Sequence, residues 1–492
     1  MTADLKSGTA PALDAAGDEP TTPRTHVVAI LPRGEAIRNF VYSGALEDVR
    51  REAEVTVLSV VPGEEFRQLL AASSDRFHPL QSVPERWAVR FTREVLDMAH
   101  GRYLWSKAAE DRWRFRDGEA VTTSQRLKRW GKKLACYPFA TQAGVEALSQ
   151  WERRASRRLR TSDHYVRLFE MLRPSLVFNG SHVHSQVAIQ AVQAAQWSGI
   201  PTMTFLFSWD NLTSQGRLIP PYDHYLAWNE AIKRDLLRIY PSIRPEQVLV
   251  VGTPQFDFHF RPEYYWTREE FCQRVGADPA RPIVLYSTGM ANHMPGEHVV
   301  VERIADLLST LDHWGPPQLL VRVYPKDRTG RFNELRSRRP DILFPEIPWE
   351  PAWLTPRVED LFLYTNTLRH SALGINIAST VSLELCMFDK PAINVGYDPP
   401  GMDIRPVSFA RYYEFDHYAP VVASGAVEVA HSEDELRQMV EHAFQHPEHR
   451  RTARRAFIER MFGETLDGRS ATRVAKALLA AARSAKPPVG LE

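Results

Sequence analysis

Short apolar runs alternate along the chain with segments of helical periodicity. The run HVVAILP, residues 26–32, has the continuous apolar character of a strand that is buried on both faces, and a helical segment and a second strand follow it up to residue 62. The alternation returns after residue 173, where strands are predicted over 174–180, 201–208, 224–228 and 246–252. Such an order of strands and helices is typical of parallel sheets and predicts the α/β fold class.

A second α/β series follows a proline-punctuated segment in which Thr267 is expected to cap a short helix. Its strands are predicted over 282–289, 318–325, 341–346, 373–379 and 391–397. Its helices are predicted near 298–311, 357–370, 380–388 and 432–446, with a last helix from Ser470. We therefore predict two Rossmann-like parallel-sheet domains that face a central cleft: residues 26–262 and residues 263–483. Residues 1–25 are predicted to be a disordered tail and residues 484–492 a second tail.

Length, charge and cysteine content agree with this organisation and exclude several classes of protein. At 492 residues the chain exceeds the size of about 250 to 300 residues at which single cores stop growing. A net charge of +1 gives no reason to expect a nucleic-acid partner. The three cysteines share no metal-binding or redox spacing. With no bilayer-spanning apolar run and no signal-peptide core, we expect a cytoplasmic protein.

The segment from about residue 79 to residue 173 is predicted to be a helical insertion in the first domain, and it contains a basic region. Between residues 126 and 160 there are ten arginines and lysines and only two acids, Glu146 and Glu152. Trp130, Tyr137, Phe139 and Trp151 are interleaved with these cations. One interpretation is peripheral contact with the inner membrane or with a charged acceptor. The alternative is a set of solvated helix faces with core aromatics.

The stretch NIASTVSLELCMFDKPAINVGYD, residues 376–398, carries the strongest chemical signal. It predicts a strand that ends at Ser379, a helix that opens with Thr380 and Ser382, and an acid, Glu384, one turn further on. A helix N-terminus at the carboxyl end of a parallel strand favours an anion, and a carboxylate one turn deeper can accept hydrogen bonds from two ribose hydroxyls. The pairing predicts a nucleoside diphosphate site. The alternative is an N-cap followed by a solvent-facing acid.

Candidates for the acceptor side lie after strands of the first domain. His182 and His184 follow one strand and Asp210 follows the next, and either an imidazole or a carboxylate could remove a proton from an attacking hydroxyl. We single out His184 and Asp210 as catalytic candidates, although a capping or turn-forming role is the alternative for each. Further acceptor-side candidates are Arg33 and Arg38 after the first strand, and Trp209 and Asn211 beside Asp210.

The first strand of the second domain is followed by STGMANHMPGEH, residues 287–298, which is expected to face the donor through Thr288 and Gly289. Asn292 and His293 could also contact phosphate or act as a base. The histidines there lack the spacing of a metal site. We therefore expect catalysis without a tightly held metal and with no tightly bound cofactor, the leaving diphosphate being neutralised by helix dipoles and cations.

Several segments together resemble the CDP-glycerol glycerophosphotransferase-like and capsule polysaccharide transferase clan of GT-B enzymes. They are residues 204–241, 250–257, 321–327, 371–398 and 462–474, and the resemblance extends over about residues 26–480. In layout the donor stretch is also similar to the peptidoglycan GlcNAc transferase and to non-hydrolysing UDP-GlcNAc 2-epimerases. Related transferases often have His-Pro where this chain has Tyr324-Pro325, so the resemblance implies that Tyr324, Lys326 or Arg322 contacts the donor phosphate here.

The resemblance implies a GT-B glycosyltransferase with a UDP-, GDP- or CMP/CDP-linked sugar as co-substrate. The sugar would pass to a cell-envelope or capsular glycan or to a lipid-linked precursor. Transfer of a polyol phosphate from a CDP-linked donor is the first alternative. Sugar-nucleotide epimerisation and non-catalytic nucleotide binding are lesser alternatives.

Overall fold

A computed structural model describes residues 25–61, 64–159, 163–183, 186–311, 315–351, 354–405 and 407–484. Within these ranges two fully parallel sheets form the centre of the molecule. The first sheet has the strand order β3-β2-β1-β4-β5-β6-β7. Its strands are β1 His26–Leu31, β2 Glu54–Ser59, β3 Arg76–Pro79, β4 Leu176–Asn179, β5 Thr202–Phe205, β6 His224–Ala227 and β7 Val248–Val250.

The helices of this first half cover the sheet and form a separate cluster. They are α1 Gly34–Ile37, α2 Ala45–Arg50, α3 Glu64–Leu70, α4 Trp87–Leu104, α5 Lys107–Gly118, α6 Thr123–Cys136, α7 Gln142–Arg158, α8 His164–Leu172, α9 Gln186–Trp197, α10 Asn211–Ser214, α11 Glu230–Ile239 and α12 Pro254–Asp257. A π-helical turn, Arg38–Tyr42, continues α1. Helices α4, α6 and α7 enclose a small core of their own that includes Leu96, Cys136 and Leu148.

The second half of the molecule has a sheet with the strand order β14-β13-β12-β8-β9 and a separate two-stranded antiparallel pair, β10 and β11. Its strands are β8 Ile283–Ser287, β9 Gln318–Arg322, β10 Trp349–Glu350, β11 Thr355–Pro356, β12 Leu373–Asn376, β13 Ala392–Val395 and β14 Glu428–Ala430. Its helices are α13 Arg268–Val275, α14 Glu297–Ser309, α15 Asn333–Arg338, α16 Val358–His370, α17 Val381–Met387, α18 Ala419–Ala423, α19 Glu433–Gln445, α20 Arg451–Phe462 and α21 Ser470–Ser484. Each sheet changes direction of strand order at one point, β1/β4 and β8/β12, where open α/β sheets bind ligands.

The last helix, α21, returns to the first half of the molecule. It packs against α2 and contacts β1 and β4. The buried Asp257 carboxylate accepts hydrogen bonds from the first two amides of α21, Ser470 N at 3.0 Å and Ala471 N at 2.8 Å. A carboxylate at a helix N-terminus satisfies orphan donors and is favoured by the helix dipole. The chain therefore crosses between the two sheets twice.

The predicted α/β class with two parallel sheets is confirmed, and one predicted strand is wrong. Residues 341–346, DILFPE, form only a single bridge, between Leu343 and Leu320. Pro345 cannot donate to a strand ladder, and only Leu343 meets its neighbour. Four short strands were not predicted: the edge strands β3 and β14, and the two strands of the separate β10/β11 pair. Among the described residues no helix has the length and apolarity to span a membrane.

Candidate functional site

A cavity of about 270 Å³ lies between the carboxyl ends of the strands of the two sheets. Glu35 and Arg38 follow β1, and Ser208 follows β5, so the first half contributes one side. The second half contributes Thr288 after β8, Tyr324 and Lys326 after β9, and Ser379 and Thr380 after β12. Loops at the carboxyl ends of parallel strands are where α/β proteins bind ligands.

Besides Arg322, this cavity brings together seven of the residues predicted from the sequence. They are Arg38, Thr288, Tyr324, Lys326, Ser379, Thr380 and Glu384. Six of them belong to the predicted donor set and one, Arg38, to the predicted acceptor set. The two sets therefore meet in a single enclosure.

Glu384 lies in the first turn of α17 and is almost completely buried. Its Oε1 is 3.0 Å from His259 Nε2, and its Oε2 accepts a 2.5 Å hydrogen bond from the Tyr364 hydroxyl. Burial and the neighbouring Glu384 charge raise the pKa of Tyr364 well above its usual value, so that hydroxyl remains a donor. Each carboxylate oxygen has a further lone pair, so both can still accept a hydrogen bond from a ligand hydroxyl.

The turn before α17 has the predicted form but uses several amides internally. The buried Asn394 Oδ1 accepts from Ala378 N, and Asn376 Oδ1 accepts from Ser379 N, each at 3.1 Å. The Ser379 hydroxyl in turn accepts from Val381 N at 3.3 Å. Because these amides already have partners, the Ser379 and Thr380 hydroxyls are the donors that the turn presents to the cavity, and positive charge has to come from elsewhere.

Arg38 is the cation best placed to supply that positive charge. Its guanidinium donates to Gln255 Oε1 at 2.7 Å and to Asn39 Oδ1 at 3.1 Å, and both acceptors are neutral amides. Among the described residues it has no ion pair with a carboxylate. Burial lowers the pKa of Arg38, and the charges of Glu35 and Glu384 oppose this shift. A half-buried guanidinium with only neutral partners favours an anionic ligand.

The other two cations that line the cavity, Lys326 and Arg322, are each paired with an acid. Lys326, from the second half, forms an ion pair with Glu35 of the first half, and Arg33 lies 2.9 Å from the same carboxylate. Burial raises the pKa of Glu35, but the charges of Lys326 and Arg33 outweigh burial and bring it below its usual value. Burial lowers the pKa of Lys326. The Lys326–Glu35 pair joins the two halves directly at the cavity.

Arg322 is held as part of the cavity framework. It donates to both oxygens of Asp360, at 2.8 and 2.9 Å, and lies over the Tyr364 ring. Trp349 Nε1 also donates to Asp360, at 2.7 Å. Tyr324, where related transferases often have histidine, is buried beside Glu35, and burial raises its pKa to about 12. Tyr324 can therefore donate a hydrogen bond to a phosphate oxygen but does not supply positive charge.

The remaining predicted residues lie outside the cavity lining. Asp210 accepts from the hydroxyls of Ser208 and Ser214, the latter at 2.7 Å, so its carboxylate organises the turn into α10. Asn211 is buried beside it. Trp209 donates from Nε1 to the Thr380 hydroxyl at 3.1 Å and so supports the donor turn from the other half. His184 lies outside the described residues.

On the second-half side, Gly289 and Ser382 are engaged by the fold. The Gly289 amide donates to the buried Glu297 carboxylate, at 3.0 and 3.1 Å to its two oxygens. The Ser382 hydroxyl is completely buried between Asn376, Asn394 and Tyr418. Neither residue presents a free group to the cavity, because each satisfies a buried polar partner.

Sequence analysis did not single out His259, Tyr364, Asp360 or Glu35. Three of them surround Glu384 or Arg322 but come from distant segments, and His259 lies 125 positions before Glu384. The only available signal for Glu35 was its place directly after the first strand. Among the described residues no group of three or more His, Cys, Asp or Glu side chains is placed to hold a metal ion.

No protein-family model matches the chain, and no curated protein matches it in sequence. Solved structures do match. A UDP-N-acetylglucosamine 2-epimerase is 12% identical with a TM-score of 0.50, covering 95% of this chain and 99% of that one. A putative UDP-N-acetylglucosamine 2-epimerase from Listeria monocytogenes is 13% identical with a TM-score of 0.53, covering 95% and 100%. A glycosyltransferase from Rickettsia africae ESF-5 is 13% identical with a TM-score of 0.47, covering 93% and 99%.

At these identities the likeness concerns the fold. The first two structures and the two facing parallel sheets confirm the predicted GT-B architecture. The resemblance to the CDP-glycerol and capsule transferase clan stays a prediction. The chain has the two-domain fold of GT-B enzymes, with a charged cavity between its halves.

Proposed function

We propose that this protein is an enzyme that binds a nucleotide-linked sugar in the cavity and transfers the sugar to a cell-envelope or capsular glycan, or to its lipid-linked precursor. One observation supports this most. A buried carboxylate, Glu384, and a half-buried guanidinium, Arg38, which has no acidic partner among the described residues, face the same cavity from opposite halves. A nucleoside diphosphate offers a diol to the first and a diphosphate to the second.

In this proposal Glu384 accepts hydrogen bonds from the ribose hydroxyls, while His259 and Tyr364 keep its carboxylate in place. The diphosphate lies against Arg38 and the hydroxyls of Ser379 and Thr380. As the bond to the sugar breaks, negative charge grows on the diphosphate. Prearranged donors and a cation in a site shielded from water stabilise that charge without rearranging.

Removal of the acceptor proton is assigned to Glu35 rather than to Asp210. Asp210 accepts hydrogen bonds from two serine hydroxyls and does not line the cavity, whereas Glu35 does. In the unliganded arrangement Lys326 and Arg33 hold Glu35 as a stable carboxylate. When Lys326 moves to a donor phosphate, Glu35 loses a cation and burial then makes its carboxylate more basic.

Epimerisation of a sugar nucleotide is the second candidate. It is supported by the two solved structures with TM-scores of 0.50 and 0.53, which are a UDP-N-acetylglucosamine 2-epimerase and a putative one. The Glu35 carboxylate and the Lys326 ammonium, which both line the cavity, could also remove a proton from a sugar carbon and return it.

A nucleotide panel followed by product analysis tests the proposal. UDP, GDP, CDP, CMP and dTDP are first compared by thermal shift, because a ligand that binds the native state raises its stability by mass action. The protein is then incubated with the matching radiolabelled sugar nucleotide, with and without a membrane glycan extract. Transfer predicts labelled glycan only with the extract, whereas epimerisation predicts an altered sugar without it.

Transfer of a polyol phosphate from a CDP-linked donor is the third possibility. A donor labelled in the phosphorus next to the polyol tests it, since only polyol-phosphate transfer moves that label to the acceptor. The proposal is rejected if none of the nucleotides raises the melting temperature, or if no product forms with any of them.

A further inference from the structure

Helix α6 has an apolar stripe that faces away from the protein. Leu127, Trp130 and Leu134 are spaced as i, i+3 and i+7 and are 66%, 59% and 52% exposed. Cys136 is completely buried and lies nine positions after Leu127, which at 100° per residue places it on the opposite side of the helix. The core therefore uses one side of α6, and the stripe is presented to the surroundings.

Exposed aromatic side chains extend this surface. Tyr137 follows α6 directly and is 52% exposed, and Trp151 on α7 is 59% exposed. Phe139 lies between the two helices, with its ring 6.3 Å from that of Trp151. The interpretation of these aromatics as core residues is therefore wrong for Trp130, Tyr137 and Trp151. Tryptophan and tyrosine combine an apolar ring with a polar atom, which suits them to the headgroup level of a bilayer.

The apolar stripe is bordered by positive charge. Nine arginines and lysines and two acids lie between residues 123 and 158, in a chain whose total net charge is +1. One of the acids, Glu152, is buried and paired with Arg93. Three of these cations, Arg129, Lys132 and Lys133, are paired with acids of α4 and α5. Arg126 and Lys128 border the stripe on its two sides, and among the described residues neither has a carboxylate partner. The surface therefore combines apolar area with an excess of cations.

We propose that the exposed stripe of α6, with Tyr137 and the cations beside it, binds an anionic phospholipid bilayer. The stripe would enter the boundary between headgroups and acyl chains, and the bordering cations would lie against the lipid phosphates. A second copy of the chain is a poorer partner, because two such faces would bring like charges together. The inference does not depend on the nucleotide site, since lipid binding needs neither donor nor acceptor.

Vesicle co-sedimentation of the full chain tests the proposal. Vesicles of phosphatidylcholine alone are compared with vesicles of equal parts phosphatidylcholine and phosphatidylglycerol. We expect binding to the anionic vesicles that weakens as salt is added. The triple variant Leu127→Ser, Trp130→Ser, Leu134→Ser is expected to bind about tenfold less or weaker still, because the inserted apolar area is lost. The pair Arg126→Glu, Lys128→Glu is expected to lose the preference for anionic lipid.

Leu249→Ser is the matched control, since Leu249 is 38% exposed on β7, outside the helical insertion. This variant should bind vesicles as the parent does, and all variants should keep the parent melting temperature because the replaced side chains are exposed. The proposal is overturned if the parent chain stays in the supernatant with every vesicle, or if the triple variant sediments as the parent does. It is equally overturned if the parent chain is a dimer that does not bind vesicles and the triple variant is a monomer, since the stripe would then hold two copies together.

Discussion

Replacing Glu384 by glutamine tests the nucleotide site at its centre. Glutamine keeps the shape of the side chain and one carbonyl oxygen, so Tyr364 retains an acceptor, while the negative charge is removed. A hydrogen bond to a charged group contributes about 1.5 to 3 kcal/mol. Since about 1.4 kcal/mol corresponds to a factor of ten in affinity, Glu384→Gln should weaken nucleotide binding by about 10- to 150-fold.

The assay is calorimetric titration with the nucleoside diphosphate that stabilises the protein most and with its 2′-deoxy analogue. The parent protein should bind the ribose form more tightly than the deoxy form, and Glu384→Gln should reduce that preference, because the two changes remove the same interaction. Glu334→Gln on α15 is the control, since the Glu334 side chain is 88% exposed. An unchanged preference for ribose in a folded Glu384→Gln protein would refute the assignment of Glu384 to the pentose.

Three further predictions concern Arg38, His100 and Gly374. Arg38→Gln should weaken binding of the nucleoside diphosphate about tenfold or more and leave binding of the nucleoside nearly unchanged, and calorimetry showing equal losses for both would argue against a phosphate contact. Burial lowers the pKa of His100 from 6.5 to about 3. Between pH 6.5 and about pH 3 the unfolded chain therefore binds a proton at His100 that the native state does not. The free energy of unfolding should fall by about 1.4 kcal/mol for each pH unit below 6.5. Urea titrations at pH 7 and pH 5 should show about 2 kcal/mol less pH dependence for His100→Gln than for the parent, and identical pH dependence would contradict this origin. Gly374→Ala should destabilise the protein by about 1 to 3 kcal/mol because its Cβ would overlap Leu385, whereas Gly101→Ala, which meets no atom within 4 Å, should be neutral or stabilising; equal melting temperatures would count against the packing argument.

Strands buried on both faces were predictable, and so were the edge strands β7 and β9, whereas the edge strands β3 and β14 were not. The central strands β1, β8 and β12 are continuous apolar runs because helices or loops cover both of their sides. The edge strand β3, by contrast, reads Arg-Phe-His-Pro and is exposed at both ends. Its pairing depends on β2 being in place, and its own residues carry no apolar pattern that would indicate a strand.

The candidate-site residues that were predicted lie in the loop or the helix that follows a strand. Ser379 and Thr380 follow β12, and such positions meet at one edge of a sheet whatever the helices between them do. Asp360 could not be distinguished from its neighbour Glu359, because both are acids in the first turn of α16. Only the packed structure shows that Asp360 is buried on Arg322 while Glu359 is exposed.

The double crossing of the chain between its halves limits how the cavity can open. The two crossing segments are bound to each other, through Asp257 at the start of α21 and through Arg261, which donates to the Gly468 carbonyl. Two joined connections at one place act as a hinge with a fixed axis, so the halves can swing apart there but cannot slide or separate. The Lys326–Glu35 ion pair joins the halves across the cavity, so we expect it to break when the halves swing apart.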